Sequence, residues 1–139
     1  MAIFLNNKVG FKIGTVDLSD HVVSFQLNRV LDSIEVSAMG DTAHKFVTGL
    51  SADTITVSFL NDTAAGSVLA TLQAAYGTTV AFAAIQDKSS AISATNVLYT
   101  GTILIDNITD INGAVADEAM MDLTFTCNSK TATATTGTW

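Results

Sequence analysis

The chain contains no proline. Proline makes up about 5% of an average protein, and it is one of the devices that stop a sheet edge from pairing with another chain. A strand-rich chain without it carries edges free to pair. Charge is nearly as scarce, with Asp, Glu, Lys and Arg at 14% against about 25% in an ordinary soluble domain. With 48% hydrophobic residues, such a chain either buries extra surface against copies of itself or builds its surface from Ser and Thr. The few charges are mostly acidic, 13 Asp and Glu against 6 Lys and Arg, for a net charge of −7. That balance excludes binding driven by release of counterions from nucleic acid. It does not exclude DNA as a neighbour, since an acidic wall repels phosphate and lets it pass without sticking.

Cys127 is the single cysteine, so no intrachain disulfide forms. It alternates with Met121, Leu123 and Phe125, which makes it a core thiol rather than a nucleophile. Aromatic residues reach only 7%, too few for the two girdles of an outer-membrane barrel. The start, MAIFLNNKVG, lacks the basic segment of a signal peptide. The longest near-continuous apolar run, Val80 to Ile85, is far short of a membrane-spanning helix. No GxGxxG, GxxxxGK[ST] or GxSxG motif occurs. His21 and His44 lie far apart, and a turn joining Asp41 to His44 offers a metal no further ligands. The pairs Asp117-Glu118 and Asp106 with Asp110 read as solvated loop ends, too sparse in oxygen ligands for calcium. Lys8, Lys12, Arg29, Lys45, Lys88 and Lys130 form no patch. The expectation is a chain without catalytic, cofactor or metal site, and not an enzyme.

What is present is alternation. A length of 139 residues suits one domain with a real core. In the central stretch, Val23, Phe25 and Leu27 share one face, and Ser24, Gln26 and Asn28 the other. After a polar break at Arg29 to Ser33, Ile34, Val36 and Ala38 alternate with Ser33, Glu35 and Ser37. The two runs read as a β-hairpin. It feeds a loop from Gly40 to Leu50. There Gly40 takes a positive φ, and Asp41 caps a helical turn by accepting from backbone N–H groups further on. Phe46 and Leu50 anchor that turn to a core, and Gly49 ends it.

Thr54 to Leu60 is the clearest strand, with Ile55, Val57 and Phe59 on one face. Residues 64–76 predict the one helix, with Val68, Leu69, Leu72 and Tyr76 on its apolar stripe and Gly77 at its end. Further strands are expected at 78–86, at 97–106, where Gly101 marks a bulge or a close backbone approach, and at 119–128. Asn112-Gly113 is a hairpin signal between the last two. Residues 1–16 read as an N-terminal arm with a short strand at 11–16, and Phe4, Leu5 and Val9 as packing residues within it. Residues 131–139 have no core face and read as an extended tail, disordered or laid on a neighbouring subunit. The sum is a mostly β chain, an antiparallel β-sandwich with barrel-like character and one helix packed against it.

The order of these parts resembles the major tail tube protein of long-tailed phages with non-contractile tails. The resemblance runs from about Asp17 to Lys130. GDTAHKF and AAGSV, followed by an apolar helix, are its most specific segments. It implies a structural virion protein of the tail, assembled in the host cytoplasm. Six subunits close into a ring, and rings stack into a hollow tube that conducts genomic DNA without binding it specifically. The implied partners are other copies of the chain and the tape-measure, tail-tip and tail-terminator proteins, with no membrane. Lumen-facing candidates are Asp32, Glu35 and Asp122. Candidates for contacts between subunits or rings are Asp41, Thr42, His44, Lys45, Phe46 and Arg29. Two alternatives stand beside this reading. One is the tube of a contractile tail or of a type VI secretion apparatus, and the other a β-sandwich module for capsid decoration or adhesion.

Overall fold

A computed structural model describes residues 8–139, so the packing expected of Phe4 and Leu5 lies outside the described residues. Among the described residues there are ten strands, one α-helix and one turn of 3-10 helix. The strands are β1 (Gly10–Ile13), β2 (Val16–Asp17), β3 (Val22–Asn28), β4 (Leu31–Glu35), β5 (Phe46–Ser51) and β6 (Thr54–Leu60). After helix α1 (Val68–Ala75) come β7 (Thr79–Ile85), β8 (Leu98–Leu104), β9 (Met120–Thr126) and β10 (Ala132–Ala134). They form a five-stranded sheet in the order β10-β8-β7-β1-β2, a three-stranded sheet β3-β6-β9 and a two-stranded ribbon β4-β5. Every pairing is antiparallel.

The two larger sheets face each other across one core. Phe11, Ile13, Phe82, Ala84 and Ile103 come from the five-stranded sheet. Ile55, Val57, Phe59, Met121, Leu123 and Phe125 come from the other, and all are buried. These positions are two apart on each strand because successive side chains point to opposite faces. Each large side chain removed from water stabilises the fold by about 1.5–3 kcal/mol. The strand-by-strand alternation read in β6 and β9 therefore holds in space. In β3 it holds with one change. A bulge between Val22 and Ser24 turns Val23 outward, 55% exposed, and brings Val22 against the core in its place.

The helix is shorter than the sequence pattern predicts, spanning 68–75 rather than 64–76. Gly66 adopts a φ of +76°, so it shapes the turn that enters the helix. Asp62 organises that turn, accepting the Ala64 N–H on its carboxylate and the Leu69 N–H on its carbonyl. Val68 and Leu72 are buried, but Tyr76 has left the helix and is 59% exposed. Gly77 follows with a φ of +78°, as expected of a residue just past a helix end.

The short strand expected at 11–16 is present as β1 and β2, which form a hairpin within the five-stranded sheet. The C-terminal residues differ from expectation. Thr131 is buried, and Ala132–Ala134 pairs with β8 as the sheet's edge. Trp139 reaches the opposite side of that sheet. Its ring lies under the Lys12 ammonium at 4.3 Å, and its Nε1–H donates to Asp17 Oδ2 at 3.4 Å. The tail is thus laid on its own subunit. The Asn112-Gly113 segment makes no hairpin, because β8 and β9 belong to different sheets and 105–119 crosses between them. At Gly101 the ladder with β7 is regular. The glycine marks a close approach, since a Cβ there would meet the Phe82 ring at 3.0 Å and Ser129 Oγ at 3.2 Å.

Candidate functional site

The expected hairpin is re-paired. β3 runs beside β6 and β4 beside β5, so 22–35 and 46–60 form one long, kinked hairpin whose tip is 36–45. The outer half, β4-β5, stands clear of both large sheets and forms an arm. Phe46 and Leu50 anchor no core, being 60% and 81% exposed, and Val30, Leu31, Ile34, Val36, Met39 and Val47 are also exposed. Gly49 lies within β5 rather than ending a helical turn.

Register places Glu35 with Phe46 and Ser33 with Thr48 on one face of the arm, and Ile34 with Val47 on the other. Asp32 flanks Gly49 beside Ile34. Asp32 and Glu35 therefore lie on opposite faces of the arm. Both faces carry exposed apolar side chains. Few isolated monomers tolerate such a patch, and a contiguous one marks a contact surface.

The tip brings together most of the expected contact residues. Asp41 accepts the Ala38 N–H at 2.7 Å and pairs with Lys45 Nζ at 2.8 Å. The Lys45 ammonium and then the Ala38 N–H hold its carboxyl below the ordinary value. Asp41 reaches back along the chain rather than forward as a helix cap does. Gly40, with a φ of +91°, makes the expected reversal. His44 Nδ1 lies 2.6 Å from Glu35 Oε1, with its ring 6.4 Å from that of Phe46. Thr42 is exposed nearby. Arg29 sits apart from the tip, at the base of the arm.

The base is pinned by Asp53, which the sequence reading passed over. It is 3% exposed. Oδ1 accepts the Val30 N–H at 3.1 Å, and Oδ2 accepts the Thr131 N–H at 3.0 Å. Its carbonyl accepts the Cys127 N–H at 3.0 Å. Burial pushes the carboxyl up, but the N–H groups of Thr131 and Val30, with Arg29 behind them, bring it below its ordinary value. One buried carboxylate thus ties the arm to the C-terminal segment. Only its position between two alternating runs marks it in the sequence. Cys127 is half-buried beside it, its thiol pushed up by burial and then by the Asp53 charge.

The outward face of β3-β6-β9 is a second surface. Register aligns Asn28, Thr54 and Thr126 in one row, Gln26, Thr56 and Thr124 in the next, and Ser24, Ser58 and Asp122 in the third. Ser58 donates its hydroxyl to Asp122. These rows hold hydroxyls, amides and one acid, and no Lys or Arg. Here the structure places Asp122, well separated from the arm that carries Asp32 and Glu35. Both edges of this sheet are seven-residue strands, β3 and β9, paired within the sheet only to β6.

A third feature is a groove of about 380 Å³ along the open flank of the sandwich. It is lined by Phe25, Leu27 and Arg29 on one side and by Ala84, Ile85 and Tyr99 on the other. Among the described residues no group of three or more His, Cys, Asp or Glu is placed to hold a metal ion.

No protein-family model matches the chain, and no curated protein matches it. Among solved structures, it is similar to a chain described as the tail of an empty GTA particle obtained by helical refinement with C6 symmetry. The two share 13% sequence identity over 84% of this chain and 83% of the other, with a TM-score of 0.58. At that identity the likeness is one of fold.

Proposed function

We propose that this chain is a structural protein of a phage-like tail, whose copies close into six-membered rings that stack into a hollow tube. The observation that carries the reading is the arm, which exposes large apolar side chains on both faces. A second copy supplies what the arm lacks within its own chain. The likeness to a chain from a C6-symmetric tail supports six as the ring number.

The remaining geometry is consistent with this assembly. Joining β9 of one copy to β3 of the next, with the Asn107 and Asn112 side chains moving off the Thr124 and Met120 carbonyls of β9, leaves this three-stranded sheet no free edge on ring closure. The β3-β6-β9 face then lines the channel. Its hydroxyl and amide rows hydrate a duplex in transit without competing for its counterions, and Asp122 repels phosphate. This role needs no catalytic group. In the particle, such a tube ends at tip and terminator proteins and forms around a tape-measure protein.

Negative-stain microscopy of the purified chain across a concentration series tests the proposal, with Phe46→Asp/Leu50→Asp as the control. Wild type is expected to form rings or tubes with a central channel, while the double variant stays monomeric with unchanged circular dichroism. Rings formed equally by the variant would remove the arm from the assembly.

A further inference from the structure

The exposed arm requires a seat, and the fold offers one on its own flank. Phe25 and Leu27 point into the sandwich, yet both remain only half-buried, because the groove between β3 and the β7-β8 pair leaves the core open on that side. Its wall adds Ile85 and Tyr99, and Arg29 stands at its rim. Among the described residues Arg29 has no ion-pair partner, and its charge helps to lower the carboxyl of Asp53.

The arm carries the complement. Glu35 is occupied by His44 and Asp41 by Lys45. That leaves Asp32 as the arm's one acid without a hydrogen bond or ion pair among the described residues. It shares a face with Ile34 and Val47, whose side chains are about half exposed, and Gly49 beside it keeps that face low. One face therefore presents two branched apolar side chains next to a carboxylate. The groove presents Phe25, Leu27, Ile85 and Tyr99 next to a guanidinium, with Gln26 and Gln86 also in its lining. A planar guanidinium is well suited to a carboxylate that becomes desolvated on docking.

We propose that the groove beside Arg29 receives the arm of a second copy of this chain, with Ile34 and Val47 over Phe25, Leu27 and Tyr99, and Asp32 paired to the neighbour's Arg29. The inference rests on the tube reading and specifies which surfaces meet.

A charge swap tests it. Arg29→Glu and Asp32→Arg should each raise the concentration needed for assembly by about 30-fold or more, the usual cost of leaving one partner of a buried charge pair alone. The double variant R29E/D32R restores the pair in reverse and should assemble within a few-fold of wild type. Because Arg29 also supports Asp53, R29E can weaken the fold. D32R lies on the exposed arm, so its defect must appear with an unchanged thermal midpoint. Mixing R29C chains with D32C chains, both in a Cys127→Ser background, should give an oxidised dimer that neither forms as readily alone.

Wild type that assembles while D32R assembles equally, or while the mixture gives no cross-link, overturns this docking site and leaves the tube reading intact. Wild type that stays monomeric at every concentration overturns both.

Discussion

Replacing Asp53 with asparagine changes one atom of a buried hinge. In the folded chain each carboxylate oxygen accepts a backbone N–H, from Val30 at 3.1 Å and from Thr131 at 3.0 Å. Asparagine keeps the shape but has one acceptor and one donor, so one of the two N–H groups must face an NH2 group. The cost combines a lost hydrogen bond to a charged group, about 1.5–3 kcal/mol, with a buried donor left unsatisfied, about 1–3 kcal/mol. These overlap, and the expected loss is about 3 kcal/mol. In a chain of this size that lowers the thermal midpoint by about 10 °C. Urea or thermal unfolding followed by circular dichroism at neutral pH measures it. The sign of the pH dependence provides a second test. The folded carboxyl lies below its ordinary value, so its contribution is present above the unfolded value, near 3.9, and is lost as pH falls through the folded one. Asp53→Asn should remove that part of the acid sensitivity. A variant within 0.5 kcal/mol of wild type, with the same acid profile, would refute the idea that Asp53 pins the arm.

Other substitutions test separate parts of the structure. Gly101→Ala places a Cβ 3.0 Å from the Phe82 ring in a well-packed core, and should cost about 1–3 kcal/mol in urea unfolding. Trp139 is the only tryptophan, so its fluorescence reports on the contacts of the C-terminal residue with Lys12 and Asp17. Lys12→Ala should shift its emission to longer wavelength, while Trp139→Ala should cost about 1 kcal/mol from the lost cation contact and packing. Thr56→Lys/Thr124→Lys should make assembled tubes retain duplex DNA at low salt, with retention falling as salt rises. Wild-type tubes should retain none.

The sandwich was legible in the sequence because its signal is local. In β6 and β9, period-two alternation alone identifies Ile55, Val57, Phe59, Met121, Leu123 and Phe125 as core. The pairing was less legible. The runs 22–28 and 34–38 both alternate and lie close together, which is the pattern of a hairpin. Their partners are nonetheless β6 and β5, because one long hairpin closes at 36–45 and kinks at Arg29-Val30. Phe46 and Leu50 misled for a related reason. Large apolar residues are expected to be buried in the same chain, and these are exposed on an arm whose proposed partner is another copy. Asp53 was invisible because periodicity does not distinguish a buried acid with two backbone donors from an ordinary turn residue. The edge strand β10 was hidden by its composition, since Ala and Thr give no core face to read.

The central claim is that copies of this chain build a hollow tube whose channel is lined by the outward face of β3-β6-β9. A cryo-electron microscopy reconstruction of the self-assembled chain measures this directly. The account predicts six-fold rings with Gln26, Thr56, Thr124 and Asp122 facing the channel, and with each arm lying on a neighbouring copy. Closed particles without a channel, or a channel lined by the β10-β8-β7-β1-β2 sheet, would contradict it.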